Sequence, residues 1–170
     1  MSTALITAFE PYGGSGINPA DKVLERLDGR RIGNAVVVGR RFGVVMDGLV
    51  GAIESALAET TPDLVISLGL YPGEPMIRLE RVGLNVADFP IPDNAGAVLS
   101  DARVSANGAT AHFATLPTRS IQQRLLSEGI PARVSYTAHT FLCNATLYSF
   151  LAAPEAAGRA VPCGVIHLPY

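Results

Sequence analysis

At 170 residues, with 48% hydrophobic residues and a formal net charge of −2, the chain is long enough for one domain with a sizeable core and too apolar for a disordered one. Its charges are interspersed with no basic stripe, which argues against nucleic acid as a partner, and no run approaches the twenty apolar residues of a membrane span. Two cysteines, Cys143 and Cys163, are too few for a disulfide scaffold, their spacing fits no zinc motif, and the N-terminus lacks a secretory pattern, so a cytoplasmic protein without metal or cofactor is the expectation.

Residues 4–8, ALITA, read as a short buried strand. The segment 9–17, FEPYGGSGI, breaks the periodicity with Pro11, Gly13, Gly14 and Gly16, and is expected as an irregular loop that opens with two exposed aromatics, Phe9 and Tyr12. It has no GxGxxG pattern and no lysine at the Walker position, so a phosphate cradle is a weak reading. Asn18-Pro19-Ala20-Asp21 is a helix start, with a capping asparagine, a proline suited to the first turn and an aspartate at the positive end of the dipole. Ala20, Val23, Leu24 and Leu27 form its apolar face. Residues 35–38 predict a strand buried on both faces, and Met46, Leu49, Val50, Ile53, Ala56 and Leu57 predict a helix over 46–58. After the Pro62-Asp63 turn, residues 64–68 make a third buried strand ending at Gly69. The loops beginning at Phe9 and at Leu70 both follow carboxyl ends of strands, where open α/β sheets gather ligands.

Residues 76–86, MIRLERVGLNV, alternate as one strand, with Ile77, Leu79 and Arg81 on one face and Arg78, Glu80 and Val82 on the other. Val82 makes the second face partly buried, and a buried Glu80 needs a partner. A solvated glutamate on an edge strand is the plainer alternative. Residues 87–108 form a long irregular stretch of the kind that often carries function. A short strand over 109–115 holds a structural His112, and Thr118 caps a helix with Ile121, Leu125 and Leu126 inward. A strand over 132–136 leads into 137–152, TAHTFLCNATLYSFLA, where Leu147, Phe150 and Leu151 recur at helical spacing. Residues 163–168, CGVIHL, make a last buried strand with His167 near its end. Strands alternating with helices predict an α/β fold, a three-layer α/β/α sandwich around a twisted, largely parallel, mixed sheet.

Cys143 falls where the helix of 137–152 begins. Unpaired N–H groups and the positive dipole end there favour a thiolate over a thiol, and the thiolate is the nucleophile. A buried structural cysteine is the alternative on this ground alone. Cys143, His167 and Glu80 have the types of nucleophile, base and orienting carboxylate, but a triad is recognised by geometry rather than spacing.

Four segments carry a resemblance: TAFEPYGGSGINPA (7–20); LERVGLNV (79–86) followed by IPDNAG (91–96); FATLPTR (113–119), running through GIPARVSYTA to FLCNATLY; and GVIHLPY (164–170). In this order, over almost the whole chain, they resemble the type I pyroglutamyl peptidases, or pyrrolidone carboxyl peptidases. The resemblance implies a thiol exopeptidase that removes N-terminal pyroglutamate from peptides through a thioester. It implies Cys143 as nucleophile, His167 as general base and Glu80 as the third member. It also implies Phe9 and Tyr12 as aromatic pocket walls, Leu70 as the source of backbone groups for the lactam, Asn18 as a residue fixing the loop, and a homotetramer. The sequence departs from the family at Tyr12 (usually phenylalanine), at Pro90 (usually an arginine held to help the oxyanion) and at His139 (usually glycine). The family continues past the last strand with a loop and a terminal helix on the sheet, so a single α/β domain over 1–170 without that helix is expected. A non-catalytic homologue that binds pyroglutamyl peptides without turnover is the alternative function.

Overall fold

The computed structural model describes residues 2–169; Tyr170, which ends the fourth family-like segment and the expected 1–170 domain, lies outside the described residues. β1 (Ser2–Phe9) sits at the middle of the first half of a seven-stranded sheet. It pairs in parallel with β3 (Ala35–Phe42) on one side and β4 (Leu64–Leu70) on the other. A two-residue β2 (Arg31–Ile32) closes one edge, antiparallel to β3. Beyond β4 come β9 (Cys163–Leu168), parallel to it, then β5 (Ile77–Glu80) and β8 (Ala132–Ser135), which run parallel to each other and antiparallel to β9. The sheet is therefore mixed and mostly parallel, as expected for this α/β fold.

Two helices cover each face. α2 (Leu49–Thr60) and α4 (Leu142–Ala156) lie over the larger core of Leu5, Phe42, Ile53, Val65, Leu147 and Phe150. α1 (Pro19–Leu27) covers Ile6, Ala8, Val37 and Leu68 on the opposite face, and α3 (Thr118–Ser127) packs over β8 and β5. None of these helices is long and apolar enough to cross a membrane. α4 is buried nearly all round, which is the signature of a helix enclosed on every side. Its outer flank is covered by a separate ribbon of β6 (Val82–Leu84) and β7 (Ala111–Phe113).

The largest departure from the sequence reading is at 76–86. The stretch is not one strand: β5 stays in the sheet, and after Arg81 the chain leaves to build the β6–β7 ribbon. Asn144 clamps this ribbon to α4. Its Oδ1 accepts from the Leu84 amide at 2.8 Å, and its Nδ2 donates to the carbonyls of Leu84 and Val86 at 2.9 and 2.8 Å. Asn144→Ala leaves these backbone groups without their partner and is expected to cost about 2–3 kcal/mol, read as a lower denaturation midpoint in urea.

Smaller departures have local causes. The second helix begins at Leu49 rather than Met46, because Gly48 is left-handed at φ 76° and turns the chain just before it. β3 runs on to Phe42 but is largely half-buried rather than buried on both faces, since only the short β2 lies beyond it. Pro117, not Thr118, occupies the cap position of α3, and Leu126 is 51% exposed because α3 lies over the end of the sheet. Phe9 is the last residue of β1 and is buried, not exposed in the loop.

Candidate active site

The parallel pairing of β4 with β9 sets Gly69 beside His167. Alternation along β9 turns His167, like Cys163 and Val165, toward the α4 face, where it is buried. Cys143, the second residue of α4, is half-buried against it. A Cβ on Gly69 would lie 2.6 Å from His167 Cδ2, 2.9 Å from its Nε2 and 3.0 Å from Cys143 Sγ. Ring and sulfur thus converge on a space that only glycine leaves open. On β5, Glu80 is fully buried, and its Oε1 accepts from His167 Nδ1 at 2.8 Å and from Arg78 Nε at 2.9 Å. An ionised carboxylate only accepts, so the proton sits on Nδ1 and Nε2 is turned to the sulfur.

The charges explain one another. Burial raises the Glu80 carboxyl, but hydrogen bonding and charge from His167, then hydrogen bonding from Ser135 and Arg78, hold it below the usual carboxylate range. Arg78 is itself buried and fully engaged: with Glu80, with Glu74 Oε1 at 3.0 Å, with Ser135 Oγ at 2.7 Å and with the Thr137 carbonyl at 2.8 Å. Burial works to lower His167, but charge and hydrogen bonding from Cys143, then from Glu80, outweigh it and raise the imidazole to about 9. A group raised from 6.5 to about 9 stabilises the fold fully below pH 6.5 and loses that contribution as pH rises through about 9. Burial alone pushes the Cys163 thiol up; it is a core residue and not a second nucleophile.

Two hollows flank Cys143. One is a small pocket lined by Phe9, Tyr12, Asn18, Val44, Leu70 and Phe141, with a volume of about 20 Å³. The Tyr12 and Phe141 rings stand 6.0 Å apart across it, and burial and the charge of Cys143 raise the Tyr12 hydroxyl. Asn18 does two jobs. Its Oδ1 caps α1 by accepting from the Ala20 amide at 3.0 Å, and its Nδ2 donates to the Phe9 and Glu10 carbonyls at 2.8 and 3.3 Å. The IPDN segment holds the same rim: Asp93 accepts from the amides of Met46, Ala95 and Ala97, and Asn94 Nδ2 donates to Glu10 and to the Pro11 carbonyl. The other hollow, a cleft of about 230 Å³, shares Tyr12, Leu70, Phe141 and Cys143 with the first and is completed by Tyr71, Pro90, Ile91, His139 and His167. His139 is left-handed at φ 58°, which costs a residue with a side chain roughly 1–2 kcal/mol.

A larger cavity, about 300 Å³, lies between β7 and the end of α4; His112 there is 2.8 Å from Glu155, the structural role expected of it. Among the described residues, no three His, Cys, Asp or Glu side chains are grouped to hold a metal ion.

Known proteins give this geometry its context. A family model described as pyroglutamyl peptidase matches residues 2–170. The chain belongs to the pyroglutamyl peptidase family. It is 40% identical over 98% of its length to the pyrrolidone-carboxylate peptidase of Pyrococcus furiosus, covering 80% of that protein. It is 41% identical over its whole length to that of Cupriavidus pinatubonensis, covering 79%. The pyrrolidone carboxyl peptidase structure from Thermococcus litoralis superposes with a TM-score of 0.97 at 39% identity, over all of this chain and 77% of that one.

Within this family member, the three predicted reactive residues come together, and Phe9, Tyr12, Asn18 and Leu70 all line the small pocket beside them. Sequence reading missed Gly69, Arg78 and Phe141. Gly69 is visible only once β4 and β9 are in register, and the partners of Arg78, on the same face as Glu80, only once β8 lies beside β5. Phe141 precedes the helix, and its ring packs edge-on against Phe89 at 4.7 Å. Gly69→Ala is expected to drive a methyl into the His167 ring and reduce kcat/KM by about 10² or more, checked by steady-state kinetics beside a circular dichroism spectrum.

Proposed function

We propose that the chain is a cysteine exopeptidase that hydrolyses N-terminal pyroglutamyl residues from peptides through a thioester. The observation that carries the mechanism is the convergence of Cys143 Sγ and His167 Nε2 over Gly69, with His167 Nδ1 bonded to the buried Glu80. His167 takes the proton of Cys143, and the thiolate attacks the pyroglutamyl acyl carbon. The developing oxyanion faces the start of α4, where the Asn144 and Ala145 amides turn back to the Phe141 carbonyl and the Cys143 amide bonds no described residue, leaving it as the donor. His167 passes its proton to the departing amine, and then serves as base for the water that cleaves the thioester. Glu80 holds the productive tautomer and offsets the positive ring.

The small pocket suits the acyl group. Pyroglutamate is a small uncharged ring with one N–H and one ring carbonyl, and no Asp, Glu, Lys or Arg lines this pocket. Phe9, Tyr12 and Phe141 are its aromatic walls, and backbone groups near Leu70 pair with the lactam. At about 20 Å³ the space holds little more than one water, which needs roughly 10–15 Å³, so Tyr12 and Phe141 must part to admit the ring. A site that pairs the lactam can reject an analogue lacking one polar group by about 10⁴, so prolyl peptides are poor substrates. Family resemblance supports a cytoplasmic homotetramer, which sedimentation would test.

The direct test is a chromogenic pyroglutamyl amide, with and without iodoacetamide. Release of the chromophore that iodoacetamide abolishes is the expected result; binding without release is the behaviour of a non-catalytic homologue. The rate is also expected to fall on the alkaline side with an apparent pKa near 9, as the imidazolium partner of the thiolate is lost. A pH series of kcat/KM reads it.

A further inference from the structure

We propose that Tyr71 is a positioning residue for the reaction: its ring seals the buried array of Arg78, Glu80 and His167 against water, and His139 is held left-handed to latch that ring in place. The proposal rests on the peptidase reading above and concerns how the array is kept dry, not what occupies the cleft.

Tyr71 follows β4 by one residue. Its amide donates to the Leu168 carbonyl at 3.1 Å, which carries the β4–β9 pairing one step past the sheet. Alternation then puts its side chain on the face of Gly69, where His167 and Cys143 meet. The ring lies against both cationic members of the array. Its centroid is 5.6 Å from that of the His167 ring and 3.7 Å from the guanidinium carbon of Arg78. Every edge of that guanidinium is spent on Glu80, Glu74, Ser135 and the Thr137 carbonyl, so its flat face is what remains to be covered. An aromatic face covers it with cation–π attraction and takes no donor from Glu80. Arg78, Glu80 and His167 are at most 2% exposed, whereas Tyr71 is half-buried, the layer between the array and solvent. Interactions among charges weaken steeply where water enters. A dry array keeps the Glu80–His167 bond strong and the imidazole in one orientation.

The strain at His139 has its use here. Its Nε2 and the Tyr71 hydroxyl share a hydrogen bond of 2.7 Å, and the two rings meet edge to face at 5.2 Å. The turn that presents His139 is tied to the same array. The Thr137 carbonyl accepts from Arg78 at 2.8 Å and from Ser135 Oγ at 3.1 Å, and Thr137 Oγ1 accepts from the His139 amide at 3.0 Å. Arg78 thus holds the base of the turn and Tyr71 its tip. A left-handed residue with a side chain persists only where its surroundings over-determine it, and the bond to Tyr71 is the contact this one secures.

Alkylation of Cys143 by iodoacetamide, followed by peptide mass spectrometry at neutral pH, reads the sulfur's reactivity with no peptide in the cleft. Tyr71→Ala is expected to slow alkylation and to lower kcat for a pyroglutamyl amide by roughly ten-fold each, with KM within about three-fold. Tyr71→Phe keeps the ring and loses the latch; His139→Gly loses the latch and relaxes the backbone. Each is expected to slow alkylation by about three-fold, and the double variant by no more than either alone. Circular dichroism establishes that each variant is folded. Alkylation of Tyr71→Ala at the native rate or faster, or a raised KM with kcat unchanged, would overturn the seal and leave Tyr71 a cleft wall. Effects of Tyr71→Phe and His139→Gly that multiply in the double variant would overturn the latch. Alkylation in the expected pattern with no release from the amide would overturn the peptidase reading and leave the seal standing.

Discussion

Cys143→Ala is expected to reduce hydrolysis of any pyroglutamyl amide by roughly 10⁴ or more, with a change in stability under about 1 kcal/mol. The two halves of this expectation have separate grounds. Among the described residues, the sulfur is the thiol at the meeting point of pocket, cleft and imidazole, and the group there that His167 can deprotonate for attack on an acyl carbon. Yet Cys143 is only half-buried, so trimming its side chain removes little packing. Single-turnover kinetics and a urea titration on the same sample separate the effects. Cys163→Ala should show the reverse: buried under α4, it is a core residue whose loss leaves a cavity and little change in chemistry.

Glu80→Gln is expected to damage both activity and fold. The amide keeps the size but loses the charge that sets the His167 tautomer, and a comparable change in a serine triad costs about 10⁴ in kcat. It also removes the buried one of the two carboxylates paired with the Arg78 guanidinium, leaving Glu74 at 3.0 Å, and breaking one partner of a buried pair costs up to about 3–5 kcal/mol. The sign with pH follows from the lowered carboxyl: the stability Glu80 contributes is present above its ordinary range and is lost as pH falls through its lowered value. The native protein is therefore expected to unfold on acidification more steeply than Glu80→Gln. Arg78→Met discriminates further. If Arg78 merely filled space, the pH profile of kcat/KM would not move. Because it shares Oε1 of Glu80 with His167, the profile is expected to shift as the imidazole becomes the sole partner of that oxygen.

Pattern alone offered Cys143, His167 and Glu80 as residue types suited to nucleophile, base and orienting carboxylate, since a triad is recognised by geometry; the resemblance to the family assigned their roles. What could not be read is what depends on register. The alternation of 76–86 continues through Arg81 without a break, so nothing in its period marks the point where β6 leaves the sheet. The clue is Gly83, where a Cβ would stand 2.8 Å from the Tyr148 amide: the ribbon lies so close on α4 that no side chain fits between. Met46 kept the helical spacing yet sits outside the helix, because an apolar residue in the turn before Gly48 packs on the same core. Arg78 falls on the same face as Glu80 in the alternation, which names no partner for it. Only the neighbours on β8 and the loop after it, Ser135 and Thr137, reveal that it is enclosed. Thr118 was placed one position late relative to the true cap because proline, which lacks a side-chain acceptor, stood where a capping residue was sought.

The proposed reaction turns on a covalent bond between the Cys143 sulfur and one acyl group. Acid-quench mass spectrometry, milliseconds after mixing enzyme with a pyroglutamyl ester, looks for that bond. The expected product is a single added pyroglutamyl group on the peptide containing Cys143, absent from the Cys143→Ala protein and persisting longer in Glu80→Gln. Full hydrolysis with no adduct on Cys143, or an adduct on Cys163, would contradict it.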